Sequence, residues 1–427
     1  MRLPIQIMLF LLMTIGLTNL TAQQADSLLI LDKLVQEALA NNPKLHSYQT
    51  TYQAEQAKIP QAGTLPDPMI HFNVNNLPVQ SFAFDEEPMT GKIIGIQQAV
   101  PFPGKLHLKE NIARQSAQIS GARYDESRNQ LIRDIKVAYY DLYYVDKAIL
   151  TTKKNQQLLR ELVEIAETKY AVGSGLQQDV LKAQVELSLM HDRLINLEQK
   201  RQELEARINT LLNRPASQAL GSPQVTDTAT HSWDRQELEP MIRDQRPLIK
   251  AWQARQKQAN REVALARKNY WPDLTFNVAY TQRDQLLNGM GGADFFSAGV
   301  SMNIPLYFWR KQRMDVQEKR LRQKRVDEHF VQIRNEIAAE LDDVLSRLHK
   351  NAELLELYRT GVIPQAQQSL QSAINGYQTD KVDFLTLVNN QLTLFQLQLE
   401  YERILSNYQK NKAELQFISG GLNVNSQ

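Results

Sequence analysis

The fold is decided by a stretch that begins IIGIQQAVPFPGKLHLKE at residues 93–110. In its first part Ile94, Ile96 and Val100 fall on one face, and small or polar residues fall on the other. This alternation has a period of two, which predicts a β-strand with unlike faces. The segment Pro-Phe-Pro-Gly at residues 101–104 ends the strand, because no regular element continues through two closely spaced prolines and a glycine.

A very long helix is predicted directly after this strand. From Lys105 to Tyr170 the sequence contains no proline and a single glycine, Gly121, and it is rich in Ala, Leu, Gln, Lys, Arg and Glu. These residues are good helix formers, and at about 1.5 Å per residue the helix would extend roughly 100 Å. Because mean helices have about 11–12 residues, an ordinary globular domain does not explain this length.

Composition excludes several classes of protein. The 427 residues carry a formal net charge of +2, with cations and anions mixed, so there is no signal for nucleic-acid binding. There is no cysteine, which excludes disulfides, thiolate metal sites, a cysteine nucleophile and a lipidated N-terminal cysteine. Residues 1–23 are laid out as a signal peptide. An uncleaved membrane anchor is the alternative for that segment, since its apolar run approaches spanning length.

The sequence contains an internal repeat. Four pairs of landmarks share an offset of 204 residues: Pro43 and Pro247, Pro68 and Pro272, Gly95 and Gly299, and Asp179 and Asp383. Tyr170 and Tyr377 differ instead by 377 − 170 = 207, which we interpret as a loss of about three residues before the second aspartate. Each copy is predicted to read helix, strand, strand, long helix, tight turn, helix. The predicted organisation is a signal peptide (1–23), a first repeat (24–213), a connector (214–231), a second repeat (232–419) and a C-terminal tail (420–427).

The four predicted strands each have one apolar and one polar face. One interpretation is a small sheet with one face on a soluble core. The other is a membrane barrel strand with its apolar face on lipid, and aromatic residues at the strand–helix junctions favour it. Four strands cannot close a barrel, so several chains would have to contribute. The residues predicted to face lipid are Ile70, Phe72, Phe276, Val278, Val300 and Ile304.

The helices that follow the two turns carry apolar residues at alternating steps of three and four. The pattern runs from Val180 to Leu211 in the first copy and from Leu394 to Ile418 in the second. Such sustained heptads predict coiled-coil packing. A second stripe on the last helix predicts neighbours on two sides, as in a wall of helices. A long soluble coiled coil also fits the heptads, but it leaves the strands without a role.

With these features assembled, the chain resembles the TolC-type outer-membrane efflux protein family. The resemblance lies in Leu34–Pro43, in the turn at Tyr170–Gln184, in its echo at Tyr377–Leu387 and in the duplicated strand pairs. Two proline-rich segments, Pro66-Asp67-Pro68 and Pro101–Leu106, are most similar to the heavy-metal and RND tripartite-pump branch. The resemblance implies a mainly α fold with a small β part, in which long antiparallel coiled-coil helices and four strands per chain assemble as a trimer. Three chains would form a 12-stranded β-barrel and a 12-helix α-barrel.

The resemblance also implies the function. The chain would be the outer-membrane channel of a tripartite efflux system in a Gram-negative bacterium, a passive duct through the periplasm and outer membrane. Its partners would be two further copies of itself, a periplasmic adaptor protein, an inner-membrane pump of the RND class and outer-membrane lipid. The alternative is a periplasmic coiled-coil protein with a structural or interaction role.

No catalytic, cofactor-binding or resident metal site is predicted from the residues. The seven histidines are scattered without ligand spacing, and Ser174 lacks the strand–turn–helix context of a nucleophile. Gly361 and Pro364 interrupt the second long helix, and a kink is predicted there with the two copies packing differently below it, because proline removes a backbone hydrogen bond and bends a helix.

Candidate functional residues lie at the two turns. In the resembled family the periplasmic end of the tunnel is narrowed by acidic residues and closed by polar links. The matching positions are Asp179, Tyr377, Lys381 and Asp383. The two aspartates also suit the first turn of a helix, where carboxylates interact favourably with the dipole and the free N–H groups. Both interpretations remain open from the sequence.

Overall fold

The computed structural model describes residues 28–225, 233–286, 289 and 291–421. The predicted signal peptide, residues 226–231 of the predicted connector and residues 422–427 of the predicted tail lie outside the described residues.

Each copy contains a short helix, a longer helix, two strands and long helices. In the first copy these are α1 (Leu31–Asn41), α2 (Pro43–Gly63), β2 (Met69–Asn75), β3 (Gly91–Val100), α3 (Lys105–Ala171) and α4 (Gln177–Leu212). In the second they are α5 (Arg235–Gln245), α6 (Pro247–Lys268), β5 (Leu274–Gln282), β6 (Phe295–Met302), α7 (Gln312–Leu357), α8 (Ile363–Gln378) and α9 (Phe384–Ile418). Two further strands of two residues each, β1 (Leu28–Leu29) and β4 (Ser222–Pro223), pair in parallel. Sequence reasoning did not predict α1, α5, β1 or β4.

The offset between equivalent residues of the two copies changes between the strands and the long helices. The helices α2 and α6 begin 247 − 43 = 204 residues apart. The helices α3 and α7 begin 312 − 105 = 207 residues apart, and α4 and α9 begin 384 − 177 = 207 residues apart. The second copy therefore has three additional residues in the loop at 303–311, here called the junction loop. The predicted loss of three residues before the second aspartate is wrong, because the 207 register continues into the last helix.

The second long helix departs from α geometry at the predicted place, and the predicted kink stays a prediction. A π turn at Tyr358–Val362 separates α7 from α8, and the amide of Ile363 donates to the carbonyl of Tyr358, five residues back. The cause is Pro364, which has no N–H for the carbonyl of residue 360 and whose ring would clash with that carbonyl in an α-helix. A π turn adds one residue to the helical turn and removes the clash.

The chain divides into two compact units, and each takes segments from both copies. The helical unit comprises Met1–Ser47, Asp125–Arg246 and Glu336–Gln427, and the sheet unit comprises Tyr48–Tyr124 and Pro247–Asn335. This division by contacts differs from the division by sequence repeat, whose boundaries stay a prediction. Among the described residues, no helix combines the length and the apolarity that crossing a bilayer requires.

The core of the helical unit follows the predicted heptads. One cluster joins α3, α4, α8 and α9 near the turns and contains Ala166, Ala183, Ala373, Tyr377, Phe384, Leu387 and Val388. A second cluster further along contains Ala148, Leu159, Met190, Phe395 and Leu399. Between α3 and α9, Gln391 donates from its amide to Asn155 at 2.6 Å, so this buried polar pair is satisfied internally.

The sheet unit contains one antiparallel sheet of four strands in the order β2-β3-β5-β6. The register aligns Phe72 with Ile94, Ile94 with Tyr280, and Tyr280 with Phe296. The next row aligns Ile70, Ile96, Val278 and Ala298. Because side chains two residues apart share a face, both rows lie on the same side of the sheet. The register thus collects the apolar residues of all four strands on one face.

A buried lysine fixes the start of α3 within the sheet unit. Lys105 is 5% exposed, and its ammonium donates to the Asp273 carboxylate at 2.8 Å and to the Trp271 carbonyl at 3.1 Å. Asp273 also accepts from the amide of Phe102 at 2.7 Å. These contacts hold the helix start against the residues that precede β5.

Replacing Lys105 by methionine is expected to lower the free energy of unfolding of the sheet unit by about 1–2 kcal/mol. A charge-assisted hydrogen bond contributes about 1.5–3 kcal/mol, reduced here because Asp273 is partly exposed. Urea denaturation of the reconstituted protein measures the change. The matched control is Lys324→Met, which removes an exposed lysine from another helix of the same unit. Equal stability of the two variants would contradict the role given to Lys105.

Candidate functional site

The two turns of the helical unit have the same backbone hydrogen bonds. In the first turn the amide of Gly173 donates to the Tyr170 carbonyl, and the amides of Ser174 and Gly175 donate to the Lys169 carbonyl. In the second turn the amide of Asp380 donates to Tyr377, and those of Lys381 and Val382 donate to Gly376. Each pair of equivalent residues is 207 apart, so the turns share the register of the long helices.

One residue in each turn occupies the left-handed region of backbone conformation. Gly173 has φ +74° and its counterpart Asp380 has φ +53°. Glycine adopts this conformation without strain, and Asn and Asp are the side-chain-bearing residues that most often replace it. The second turn therefore carries a carboxylate at a position where the first turn carries no side chain.

Lys169 connects the two turns. Its ammonium donates to the Asp380 carboxylate at 2.5 Å and to the Tyr377 carbonyl at 3.1 Å, and it lies 4.2 Å from the centre of the Tyr377 ring. The hydrogen bond to Asp380 raises the pKa of Lys169, so the lysine is charged at neutral pH. We call this set of three residues the lysine bridge. It joins the end of α3 to the end of α8, across the two copies of the repeat.

Tyr377 is the buried member of the lysine bridge. It is 7% exposed and its ring packs on Phe384 at 5.6 Å between ring centres. Burial raises the pKa of Tyr377, the Lys169 charge opposes this, and the carboxylates of Asp179 and Asp380 add to it. The phenol donates no hydrogen bond within the described residues, so the role of Tyr377 in a polar link stays a prediction.

The two predicted aspartates occupy different positions in their helices. Asp383 is the N-cap of α9, and its carboxylate accepts from the Thr386 amide at 2.6 Å and from the Thr386 hydroxyl at 3.1 Å. Asp179 is the third residue of α4, whose N-cap, Leu176, makes no side-chain cap. In the 207 register Asp383 is equivalent to Leu176, and Asp179 to Thr386. The predicted echo of Asp179 by Asp383 is therefore wrong as a structural equivalence.

Replacing Asp383 by alanine is expected to increase fraying of the first turn of α9. The amide and hydroxyl of Thr386 lower the pKa of Asp383, so the capping contribution is present above the ordinary carboxyl pKa of about 4. It is lost as pH falls through the lower value in the folded protein. Amide hydrogen exchange of Leu385–Leu387, corrected for intrinsic rates, measures this at neutral and acid pH. The control is Asp179→Ala, which removes no side-chain cap, and equal protection in both variants at neutral pH would contradict the prediction.

Lys381 is exposed and forms no ion pair with any described residue. The cation that links the helices is instead Lys169, and its acidic partner is Asp380. Sequence reasoning missed both. One signal in the sequence could have identified Asp380. It is an aspartate in the tight turn QTDKVD at 378–383, at the position equivalent to a glycine in the other copy.

The predicted lipid-facing residues are on the apolar face of the sheet, with one exception. Ile70, Phe72, Phe276, Val278 and Val300 are all exposed, and Phe72 is 74% exposed. Along β5 exposure alternates strictly from Phe276 to Tyr280, as the period of a strand requires. Ile304 is exposed but lies beyond β6, which ends at Met302, so it belongs to the junction loop. The assignment of these residues to lipid stays a prediction.

The arrangement of helices and strands has known counterparts. A family model described as outer membrane efflux protein matches residues 34–214 and 238–421, which is most of the chain. The chain belongs to this family. This match confirms the predicted family resemblance and the predicted class, an outer-membrane efflux protein. The prediction of a likeness to the heavy-metal branch is supported by one relative, a cobalt-zinc-cadmium resistance protein.

Two relatives and one solved structure show how close the likeness is. The toxin and drug export protein A of Aggregatibacter actinomycetemcomitans is 22% identical over 194 residues, 45% of this chain and 42% of the relative. The cobalt-zinc-cadmium resistance protein CzcC of Cupriavidus metallidurans is 23% identical over 313 residues, 71% of this chain and 70% of the relative. The crystal structure of the outer membrane protein VceC from Vibrio cholerae has a TM-score of 0.79 at 18% identity, covering 92% of this chain and 96% of VceC. This last likeness confirms the predicted fold of the single outer membrane efflux chain.

The match to the first relative spans less than half of that protein. Its activity and cargo are therefore properties of that relative. Within residues 28–225, 233–286, 289 and 291–421, no group of three or more His, Asp and Glu side chains is arranged to hold a metal ion.

Proposed function

We propose that three copies of the chain form a passive export channel through the outer membrane. The observation that carries this proposal is the four-stranded sheet, which is open at both edges and apolar on one exposed face. In the described part of the chain, β2 pairs only with β3 and β6 only with β5. Each edge therefore offers a row of unpaired backbone N–H and C=O groups.

Unpaired edges cannot lie in a bilayer, because no water is present to satisfy them. A second copy of the same sheet satisfies them by pairing its β2 with the first copy's β6. Repetition of this contact around a three-fold axis gives 12 strands from 3 × 4, and closure removes every edge. The apolar face then contacts lipid, and the polar face, which carries His71, Gln97, Asn277 and Ser297, lines a water-filled lumen.

The long helices supply the second part of the channel. Helices α3, α4, α7 with α8, and α9 from each chain make 12 helical rods in a trimer, which we infer close into an α-barrel through the periplasm. Apolar residues on the outer side of α4, such as Leu181, Val185 and Leu189, are exposed in the single chain and supply contacts to neighbouring copies. The lysine bridge then lies at the periplasmic end and holds the ends of α3 and α8 together.

The channel is proposed to act as a duct and not as an enzyme, with energy supplied by an inner-membrane pump through a periplasmic adaptor. The pump is proposed to be of the RND class, as the resemblance to that branch implies. Two relatives are named for export of toxins and drugs and for resistance to cobalt, zinc and cadmium. Both cargo classes are small, and a water-filled lumen with a polar lining suits either.

Outer-membrane fractionation followed by electrophoresis of unheated and heated samples tests the assembly. The proposal expects a band of trimer mass that converts to monomer on heating, and stepwise conductance when the purified trimer is added to a planar bilayer. Recovery of a monomer or an elongated oligomer in the soluble periplasmic fraction would support the alternative coiled-coil role and contradict the channel.

A further inference from the structure

The junction loop carries three adjacent exposed aromatic side chains. Tyr307, Phe308 and Trp309 are each half or more exposed. Their rings contact each other edge to face, at 6.2 Å between Tyr307 and Trp309 and 5.3 Å between Phe308 and Trp309. Large aromatic residues are normally buried, so three exposed neighbours indicate a surface that contacts a ligand or a membrane.

Three cations accompany these rings. Arg310 and Lys311 end the junction loop and Arg313 lies in the first turn of α7, and all three are exposed. None of them forms an ion pair within the part of the chain that the structure describes. A cationic group at a helix N-terminus is disfavoured by the dipole unless an anion lies nearby. The acidic residue in the first turn of α7 is Asp315, so the three exposed cations outnumber it and lie beside the aromatic surface.

The end of α6 extends this cationic surface. The ring of Tyr270 contacts that of Phe308 at 6.5 Å between centres, which brings the junction loop against the last turn of α6. Arg267 in that turn is exposed and Lys268 lies over the Phe102 ring. The aromatic surface is therefore flanked by cations from two helices.

The corresponding loop of the first copy has no such surface. It is three residues shorter, and its lysine, Lys105, is buried on Asp273. The equivalent of Lys105 in the second copy, 207 residues later, is Gln312, which carries no charge. The three additional residues of the second copy thus fall in the segment that exposes the rings and the cations.

We propose that the junction loop binds the phosphate of an anionic phospholipid headgroup. Arg310, Lys311 and Arg313 face the phosphate, and Tyr307 and Trp309 lie at the boundary with the acyl chains, where aromatic residues concentrate. The inference rests on the proposed function, because only that function puts the apolar face of the sheet in the outer membrane.

A lipid suits this surface better than an acidic protein segment does. The loop follows β6 directly, and its own residues Ile304 and Leu306 are exposed and apolar, with Leu306 65% exposed. A phospholipid has an anionic phosphate next to apolar acyl chains. The phosphate would match the cations of the loop, and the acyl chains would match its apolar residues. An acidic peptide would match the cations alone.

Electron paramagnetic resonance of spin-labelled lipids tests the proposal on the full-length trimer. The trimer is reconstituted in phosphatidylethanolamine vesicles, and association of labelled phosphatidylglycerol is compared with that of labelled phosphatidylcholine. We expect a preference for phosphatidylglycerol of roughly fivefold, the factor that one cation near an anionic surface contributes. The combined variant Arg310→Gln, Lys311→Gln, Arg313→Gln is expected to lose it.

The matched control is Arg261→Gln, Lys324→Gln, Arg325→Gln, which removes the same charge from exposed positions of the sheet unit. It is expected to keep the preference. An undiminished preference in the loop variant, or an equal loss in both, would overturn the proposal.

Fluorescence quenching of the otherwise unchanged chain provides a measurement that does not depend on folding of the charge variant. Phosphatidylglycerol brominated near the headgroup is expected to quench tryptophan emission more than brominated phosphatidylcholine does. The difference should disappear in Trp309→Phe, and equal quenching by the two lipids would contradict the inference. Absence of conductance from the unchanged trimer would contradict the proposed channel function. Normal conductance without a lipid preference would contradict only the lipid site and would leave the channel function standing.

Discussion

Replacing Val278 by arginine is expected to prevent assembly of the trimer in the outer membrane. Val278 lies in the middle of β5, on the exposed apolar face, between Ile96 on one neighbouring strand and Ala298 on the other. An arginine on the lipid face near the bilayer midplane costs about 2–4 kcal/mol per strand. A trimer carries three copies of the change, so the total cost of about 6–12 kcal/mol is comparable to the entire stability of an ordinary domain, about 5–15 kcal/mol.

The adjacent residue provides the matched control for this prediction. Asn277 lies on the opposite face of the same strand, across from Gln97 and Gly299. Asn277→Arg adds the same side chain on the face that we propose lines the lumen, and we expect it to assemble normally. Heat-modifiable trimer in outer-membrane fractions is the measurement. Equal assembly of both variants would show that the assignment of the two faces is wrong.

Breaking the lysine bridge is expected to open the periplasmic end of the channel. Lys169→Met removes the ion pair to Asp380, the hydrogen bond to the Tyr377 carbonyl and the contact with the Tyr377 ring. An exposed ion pair and an exposed cation–π contact each contribute up to about 1 kcal/mol. Three chains lose these contacts together, so the single-channel conductance of the isolated trimer should rise well above that of the unchanged protein.

Two further variants show whether the effect belongs to this contact. Lys381→Met removes an exposed lysine of the same turn that has no ion-pair partner among the described residues, and it should leave the conductance unchanged. Asp380→Asn removes the carboxylate but keeps a residue suited to the left-handed conformation, and it should raise the conductance as Lys169→Met does. If the Lys169→Met trimer assembles normally and conducts like the unchanged trimer, the lysine bridge stabilises only the turn and does not close the channel.

Much of the fold follows from patterns that are local in the sequence. The period-two alternation at 93–100 predicted β3, and the absence of proline between Lys105 and Tyr170 predicted α3, which extends to Ala171. Proline at the first helical position predicted the starts of α2 at Pro43 and α6 at Pro247. Each signal arises from backbone sterics or hydrogen bonding within a few residues, so it is readable without the tertiary structure.

The equivalence of Asp179 and Asp383 was misread for a physical reason. An offset of 204 and an offset of 207 differ by three residues, which is close to one helical turn of 3.6. Both offsets place apolar residues on the same side of the returning helix, so the heptad pattern fits either. The helix N-caps, Leu176 and Asp383, and the matching hydrogen bonds of the two turns distinguish the two registers.

The sequence by itself determined the two copies, the long helices, the strands with unlike faces and the interruption at Pro364. The tertiary structure alone decided which distant side chains meet. Lys169 reaches Asp380, 211 residues later, and Lys105 reaches Asp273, 168 residues later. Such contacts depend on which helix ends and strand ends come together after packing, and neither local propensity nor periodicity carries that information. The residues that join the two turns were therefore visible only in the folded chain, although the turns that hold them were readable from the sequence.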